Sequence, residues 1–279
     1  MIKPVGIFWV LASLASIAGV AQAQQTPAKT ATPPIPRTAD GKPDMTGVWQ
    51  GGSNRPGTWE EANAPGGLGG LSGQAPAGTG RGPGAFPPRE PAPYQDWAKA
   101  KVQESFDRRG IDDPIARCLM AGIPRTTTVG LFPMQIVQTP TQVIMLYELL
   151  HSFRVIPLNA KHPDDLEPTY MGDSAGHWEG DTLVVDVTGF NDRTWIGPTG
   201  TFHSESMHVT ERYTRVDYNR INYDVTVEDP KVLTRPWIMH SSIMLRNGTR
   251  LREYECAENN TDIQHYEQML KDESLFRRK

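Results

Sequence analysis

Short runs of alternating apolar and polar residues dominate the chain from residue 134 to residue 256. Residues 220–228 are the cleanest case. Ile221, Tyr223, Val225 and Val227 fall on one side, and Asn222, Asp224 and Thr226 on the other. This period of two marks a half-buried strand. The same reading predicts strands over 45–50, 134–138, 142–149, 153–158, 182–187, 206–216, 237–245 and 249–256, most of them bounded by turn residues. Connections such as Asp217-Tyr218-Asn219 and Arg246-Asn247-Gly248 are short enough to make sequential strands antiparallel neighbours, and Asn-Gly is a strong hairpin signal. A meander of about eight or more such strands removes its open edges by closing into a barrel.

Helical periodicity is confined to the flanks. Residues 95–109 space Trp97, Ala98, Val102 and Phe106 at helical intervals and stop before Gly110, so this helix should pack one face on the sheet. A weaker helical pattern covers 262–276. The fold expected is therefore mainly β, an antiparallel lipocalin-like barrel with one or two flanking helices.

The alternation is untidy where the interior is concerned. In 237–245, Ile238, His240, Ser242 and Met244 share one face, and Met239, Ser241, Ile243 and Leu245 the other. In 205–214, Glu205, Met207, Val209, Glu211 and Tyr213 lie opposite His208, Thr210, Arg212 and Thr214, and either set could line the lumen. Polar groups thus fall on both faces, which predicts a partly polar lumen able to hold a ligand.

Composition divides the chain. Lys3, the apolar run 7–20 and Ala21-Gln22-Ala23 read as a cleaved secretory signal peptide over 1–23, which implies a periplasmic or secreted protein and no membrane after cleavage. Residues 24–36 form a flexible leader, and 37–279 a single barrel domain. Residues 51–93 contain 12 Gly and 8 Pro and read as a disordered insertion, with a lid as the sharper alternative. The net charge of −4 gives no electrostatic reason to expect nucleic acid, so the expected partner is a small molecule. In an oxidising compartment Cys118 and Cys256 are expected to form one disulfide, against a reactive thiol or a metal pair.

Five ordered stretches, PRTADGKPDMTGVW, DDPIARCLMAGIPR, GDSAGHWEGDTLVVDVTGFND, FHSESMHVTERY and EDPKVLTRPW, resemble a large family of exported bacterial proteins of mostly unassigned function. The D-x-T-G-x-W start followed by a meander is also similar to lipocalin-like barrels. The resemblance implies export and a β-rich fold, and it carries no activity with it.

Candidate chemistry comes from residue types. His203 and Glu205 share a face about 7 Å apart along a strand and suit a base and its orienting partner. Glu148, ending an apolar strand, suits a general acid or base, with Arg154 or Arg212 as electrostatic clamp. His151, His208, His240, Tyr254 and Trp178 are the candidate substrate contacts, although Trp178 also fits a hairpin anchor. His203, Glu205, His208 and His151 are of metal-binding type but lack metal-ligand spacing, and the nucleophile-elbow, P-loop and dinucleotide fingerprints do not occur in context. No cofactor is therefore expected, with a metal at these residues as the lesser alternative. Two functions follow: a cofactor-independent exported enzyme of lyase, isomerase or hydrolase type acting on a small organic, possibly aromatic, substrate in the lumen, or a periplasmic lipocalin-like carrier of a small apolar ligand.

Overall fold

The computed structural model describes residues 33–52, 92–128, 132–197, 200–258 and 260–272. The signal peptide, most of the leader, residues 53–91 of the insertion and the end of the last helical pattern lie outside the described residues.

Among the described residues nine antiparallel strands form one sheet: β1 (Gly47–Gly52), β2 (Pro133–Gln138), β3 (Gln142–Tyr147), β4 (Phe153–Pro157), β5 (Asp173–Glu179), β6 (Thr182–Thr188), β7 (His208–Asp217), β8 (Arg220–Glu228) and β9 (Trp237–Leu245). Their spatial order is β4-β3-β2-β1-β9-β8-β7-β6-β5. The two outer strands come back together at a seam, where Leu158 pairs with Gly176 and the Asn159 N–H donates to the Gly176 carbonyl at 2.7 Å. The sheet is thus a nearly closed barrel, the expected class.

Two expectations about strands need correction. The sequence pattern predicts no strand at β5, because Gly176 and its charged neighbours interrupt the apolar alternation and leave Trp178 as a hairpin anchor. A Cβ at Gly176 would stand 2.8 Å from Ile156 Cγ2, so the glycine is what lets β5 approach β4 across the seam. Conversely, residues 249–256 form no strand. β9 already pairs β8 on one side and β1 on the other, so Asn247-Gly248 cannot open a further hairpin there. The Arg252 and Tyr254 N–H groups instead donate to Glu148 Oε2 at 2.7 Å and His151 Nε2 at 3.2 Å.

Alternation explains the core. From β7, Val209, Glu211 and Tyr213 turn inward; from β8, Ile221, Tyr223, Val225 and Val227; from β9, Met239, Ser241 and Ile243. Trp49 and Trp237 fill the space beside them, both essentially inaccessible, and full burial of an apolar side chain stabilises by about 1.5–3 kcal/mol. Helix α1 (Asp96–Asp107) lays Ala98 and Val102 on this core, while Trp97, expected on the packed face, is 56% exposed. Helix α2 (Asp262–Lys271) closes the described chain.

A largely buried segment between α1 and β2, the plug, reaches the barrel's Tyr147 through Thr127. Asp113 Oδ1 accepts from the Ile115 N–H and caps a short 3-10 turn at Pro114–Arg117. Both Asp113 oxygens receive the Arg125 guanidinium at 2.8 and 2.6 Å, in a buried pair. Arg125 opens the helical turn Arg125–Thr128, whose Thr127 reaches the barrel interior. The expected disulfide, Cys118–Cys256, ties the plug to the segment held by Glu148 and His151.

Candidate functional site

The interior carries a connected polar centre. Glu211, at 0% exposure, receives Arg154 Nη1 on Oε1 at 3.2 Å and Nη2 on Oε2 at 2.6 Å. The Tyr213 and Tyr223 hydroxyls donate to the same Oε1 at 2.9 and 2.6 Å. Arg154 Nη2 also donates to Ser174 Oγ at 2.9 Å, so one guanidinium links β4, β5 and β7 across the seam. Four donors on one carboxylate offset much of its desolvation, since a buried charge is tolerable only when paired and hydrogen-bonded.

The strands place this group by register. Glu211 and Tyr213 are two apart on β7, Tyr223 stands directly opposite Tyr213 on β8, and their rings meet at 4.8 Å. A third phenol, Tyr147 of β3, lies within electrostatic reach of both Arg154 and Glu211. Its hydroxyl meets Met145 Sδ at 3.3 Å and Thr127 Oγ1 of the plug at 3.2 Å, so it is not committed to the carboxylate. Burial, with Glu211 nearby, raises all three phenols, Tyr213 and Tyr223 strongly, so they stay protonated donors at neutral pH. Burial opposes the charge on Arg154, but Glu211 outweighs it and holds the guanidinium well above its ordinary value. Arg154 Nε is buried without a hydrogen-bond partner among the described residues. The centre therefore has one buried donor without a partner among the described residues, Arg154 Nε–H, and beside it Tyr147 O–H, which donates to the weak thioether acceptor Met145 Sδ.

Of the residues singled out from sequence, Arg154 alone belongs to this centre. Arg212 faces outward and pairs with Glu179 at 2.8 Å. His208 and His240 also face outward, His208 between Asp186 and Glu228, His240 against Asp224 at 2.6 Å. Glu205 is exposed in the turn before β7. His203 is buried beside Phe190: its Nδ1 donates to the Ser204 carbonyl at 3.0 Å, and its Nε2 accepts from Thr194 Oγ1 at 2.7 Å. Glu148 and His151 hold the 252–254 backbone, Tyr254 packs its ring on Phe132 at 4.7 Å, and Trp178 sits under Lys42 at 5.8 Å. The five acid, base and clamp candidates thus occupy separate neighbourhoods.

Sequence reasoning misses Glu211 and its three tyrosines as site residues. The signal is present in Glu211 and Tyr213 sharing the face of Val209, and in Tyr223 sharing that of Val225. What alternation leaves open is which face of β7 turns inward.

Among the described residues no group of three or more His, Cys, Asp or Glu side chains is disposed to hold a metal ion, and no helix is long and apolar enough to cross a membrane. An open surface groove of about 1050 Å³ runs between Tyr94–Lys99 and Glu228–Pro236, apart from the interior centre. No family model matches the chain, and neither a curated protein nor a solved structure matches it significantly.

Proposed function

We propose that this protein is an exported, cofactor-independent enzyme that moves protons on a small oxygen-bearing organic molecule within the barrel, in the manner of a lyase or isomerase. The observation that carries the reading is a buried carboxylate beside the unpartnered Arg154 Nε–H and a Tyr147 O–H held by a thioether, an acceptor that a ligand oxygen outcompetes. A carbonyl or carboxylate oxygen would take hydrogen bonds from Tyr147 O–H and Arg154 Nε–H, which stabilise the negative charge that develops when a neighbouring carbon loses a proton. Glu211 is the anion available to receive that proton, and Tyr213 and Tyr223 fix its orientation. Uncharged phenols suit the task, because they stabilise an oxyanion without themselves ionising.

Arg154 keeps its expected role as clamp, while Glu211 replaces Glu148, His203 and Glu205 as the acid/base group. Export rests on the N-terminal pattern and accords with the Cys118–Cys256 disulfide.

Incubating the protein in D2O with a panel of small ketones, hydroxy acids and aromatic carbonyl compounds tests the reading by NMR. Wild type should incorporate solvent deuterium next to the carbonyl of at least one compound, and the charge-free double variant Arg154→Met/Glu211→Gln should not. Equal incorporation by both would sink the proposal, and binding without exchange would favour the carrier instead.

A further inference from the structure

A second ionisable array lies on the outside of the barrel, clear of the interior centre. His162 sits in the β4–β5 connection, a mostly exposed loop that spans the seam. Its Nδ1 is 2.5 Å from Asp173 Oδ1 of β5, and its Nε2 is 2.9 Å from Asp186 Oδ2 of β6. The other oxygen of Asp186 meets His208 Nε2 of β7 at 2.6 Å, and His208 Nδ1 faces Glu228 Oε2 of β8 at 3.2 Å. The result is an unbroken chain of carboxylate, imidazole, carboxylate, imidazole, carboxylate across four adjacent strands and one loop.

Its chemistry fixes the protonation that closes it. An ionised carboxylate only accepts, and a neutral imidazole has one N–H. His162 can bond both of its carboxylate neighbours only as imidazolium. Loss of a proton from His162 leaves Asp173 or Asp186 without its donor and removes the positive charge that lies between these two carboxylates.

The loop depends on this contact. Its ends are fixed by Asn159 N–H to the Gly176 carbonyl and by Thr169 N–H to the Gly189 carbonyl, at 2.7 and 3.0 Å. Between them, His162 ties the loop to the strands through side-chain hydrogen bonds, and Leu166 packs beside Gly189. The charged neighbours on the loop itself, Lys161, Asp164, Asp165 and Glu167, are all exposed.

We infer that the His162–Asp186–His208 array is a pH-operated clasp, which fastens the β4–β5 connection over the barrel seam when His162 is protonated and releases it when His162 becomes neutral. Partial burial opposes the charge on His162, but Asp173 and Asp186 outweigh it and raise its pKa above the ordinary value of 6.5. For a group raised in the folded state, the stabilisation is complete below the unfolded value and is lost as pH rises through the folded one. The clasp is therefore closed in mild acid and opens on the alkaline side.

Endoproteinase Lys-C cleavage after Lys161 reads the loop directly. The rate is taken relative to a free peptide of residues 157–167 at each pH, which cancels the pH dependence of the protease. When reclosing outpaces cutting, this ratio tracks the open population. In wild type the ratio should rise about tenfold or more from pH 6 to pH 9. His162→Gln should be cut at the high ratio already at pH 6, and Asp173→Asn, which removes one partner and keeps the imidazole, should shift the rise to lower pH. A ratio in wild type that does not change with pH, or a His162→Gln variant as resistant as wild type at pH 6, would overturn the clasp.

Discussion

Replacing Arg154 by Met tests the interior centre where its charges meet. The substitution keeps the volume that β4 buries but leaves Glu211, at 0% exposure, with the phenols of Tyr213 and Tyr223 as its remaining donors. An uncompensated buried charge costs about 3–5 kcal/mol. At about 2–4 °C per kcal/mol for a domain of this size, the melting temperature should fall by roughly 6–20 °C. Glu211→Gln alone should cost a similar amount, because it strands the Arg154 cation. The double variant removes both charges, while the amide carbonyl introduced at position 211 still accepts from Tyr213 and Tyr223. It should therefore be more stable than either single variant and lie within about 2 kcal/mol of wild type. Urea titrations of the four proteins give the coupling from the shifts in midpoint at constant slope. If Arg154→Met costs less than about 1 kcal/mol, or if the two single costs simply add, the pair is neither dry nor coupled, and the reasoning fails.

Other consequences are read by the same titrations. Removing the disulfide with Cys118→Ser/Cys256→Ser frees a crosslink spanning 138 positions and should lower stability by about 2–5 kcal/mol; an unchanged midpoint would contradict the plug's tether. Burial holds His203 below its ordinary pKa, against the pull of the Ser204 carbonyl and Asp229. A depressed histidine stabilises fully above its unfolded value near 6.5 and loses that contribution as pH falls below it, so His203→Gln should flatten the acid limb of the stability curve below pH 6.5. Gly122 has φ +75°, and a Cβ there would stand 2.4 Å from Thr194 Oγ1. Gly122→Ala should therefore cost more than about 1 kcal/mol, and a neutral effect would show that this corner can relax.

The barrel was legible because strand alternation is a local property. Residues 220–228 display their inward set in the sequence itself, and short connections dictate antiparallel neighbours. β5 was not legible, because Gly176 serves a neighbour that arrives from β4, and nothing within residues 173–179 reports that approach. The end of β9 failed in the opposite sense. Asn247-Gly248 is good turn chemistry, but β1 arrives from the other end of the chain and occupies the edge that a hairpin would need.

The candidate site divides along the same line. Arg154 was legible as an electrostatic clamp beside Glu148, but its actual partner Glu211 lies in a strand whose two faces are nearly equally polar. Only packing against β6 and β8 decides that Glu211 and Tyr213 turn inward while His208 and Arg212 turn out. His203 and Glu205 illustrate the limit of spacing arguments. They precede β7, and the chain there follows a turn in which His203 is drawn beneath Phe190 and Glu205 is left in water.

The most direct test of the interior centre is the kcat/KM of Tyr147→Phe on whichever compound of the carbonyl panel wild type exchanges, with Arg212→Ala as an outward-facing control. Losing a phenol whose hydroxyl meets Thr127 and Met145 leaves the Glu211–Arg154 pair intact. The account predicts a folded protein with a reduction of about 10²-fold or more for Tyr147→Phe and wild-type activity for Arg212→Ala. A Tyr147→Phe variant as active as wild type, or a loss confined to Arg212→Ala, would contradict it.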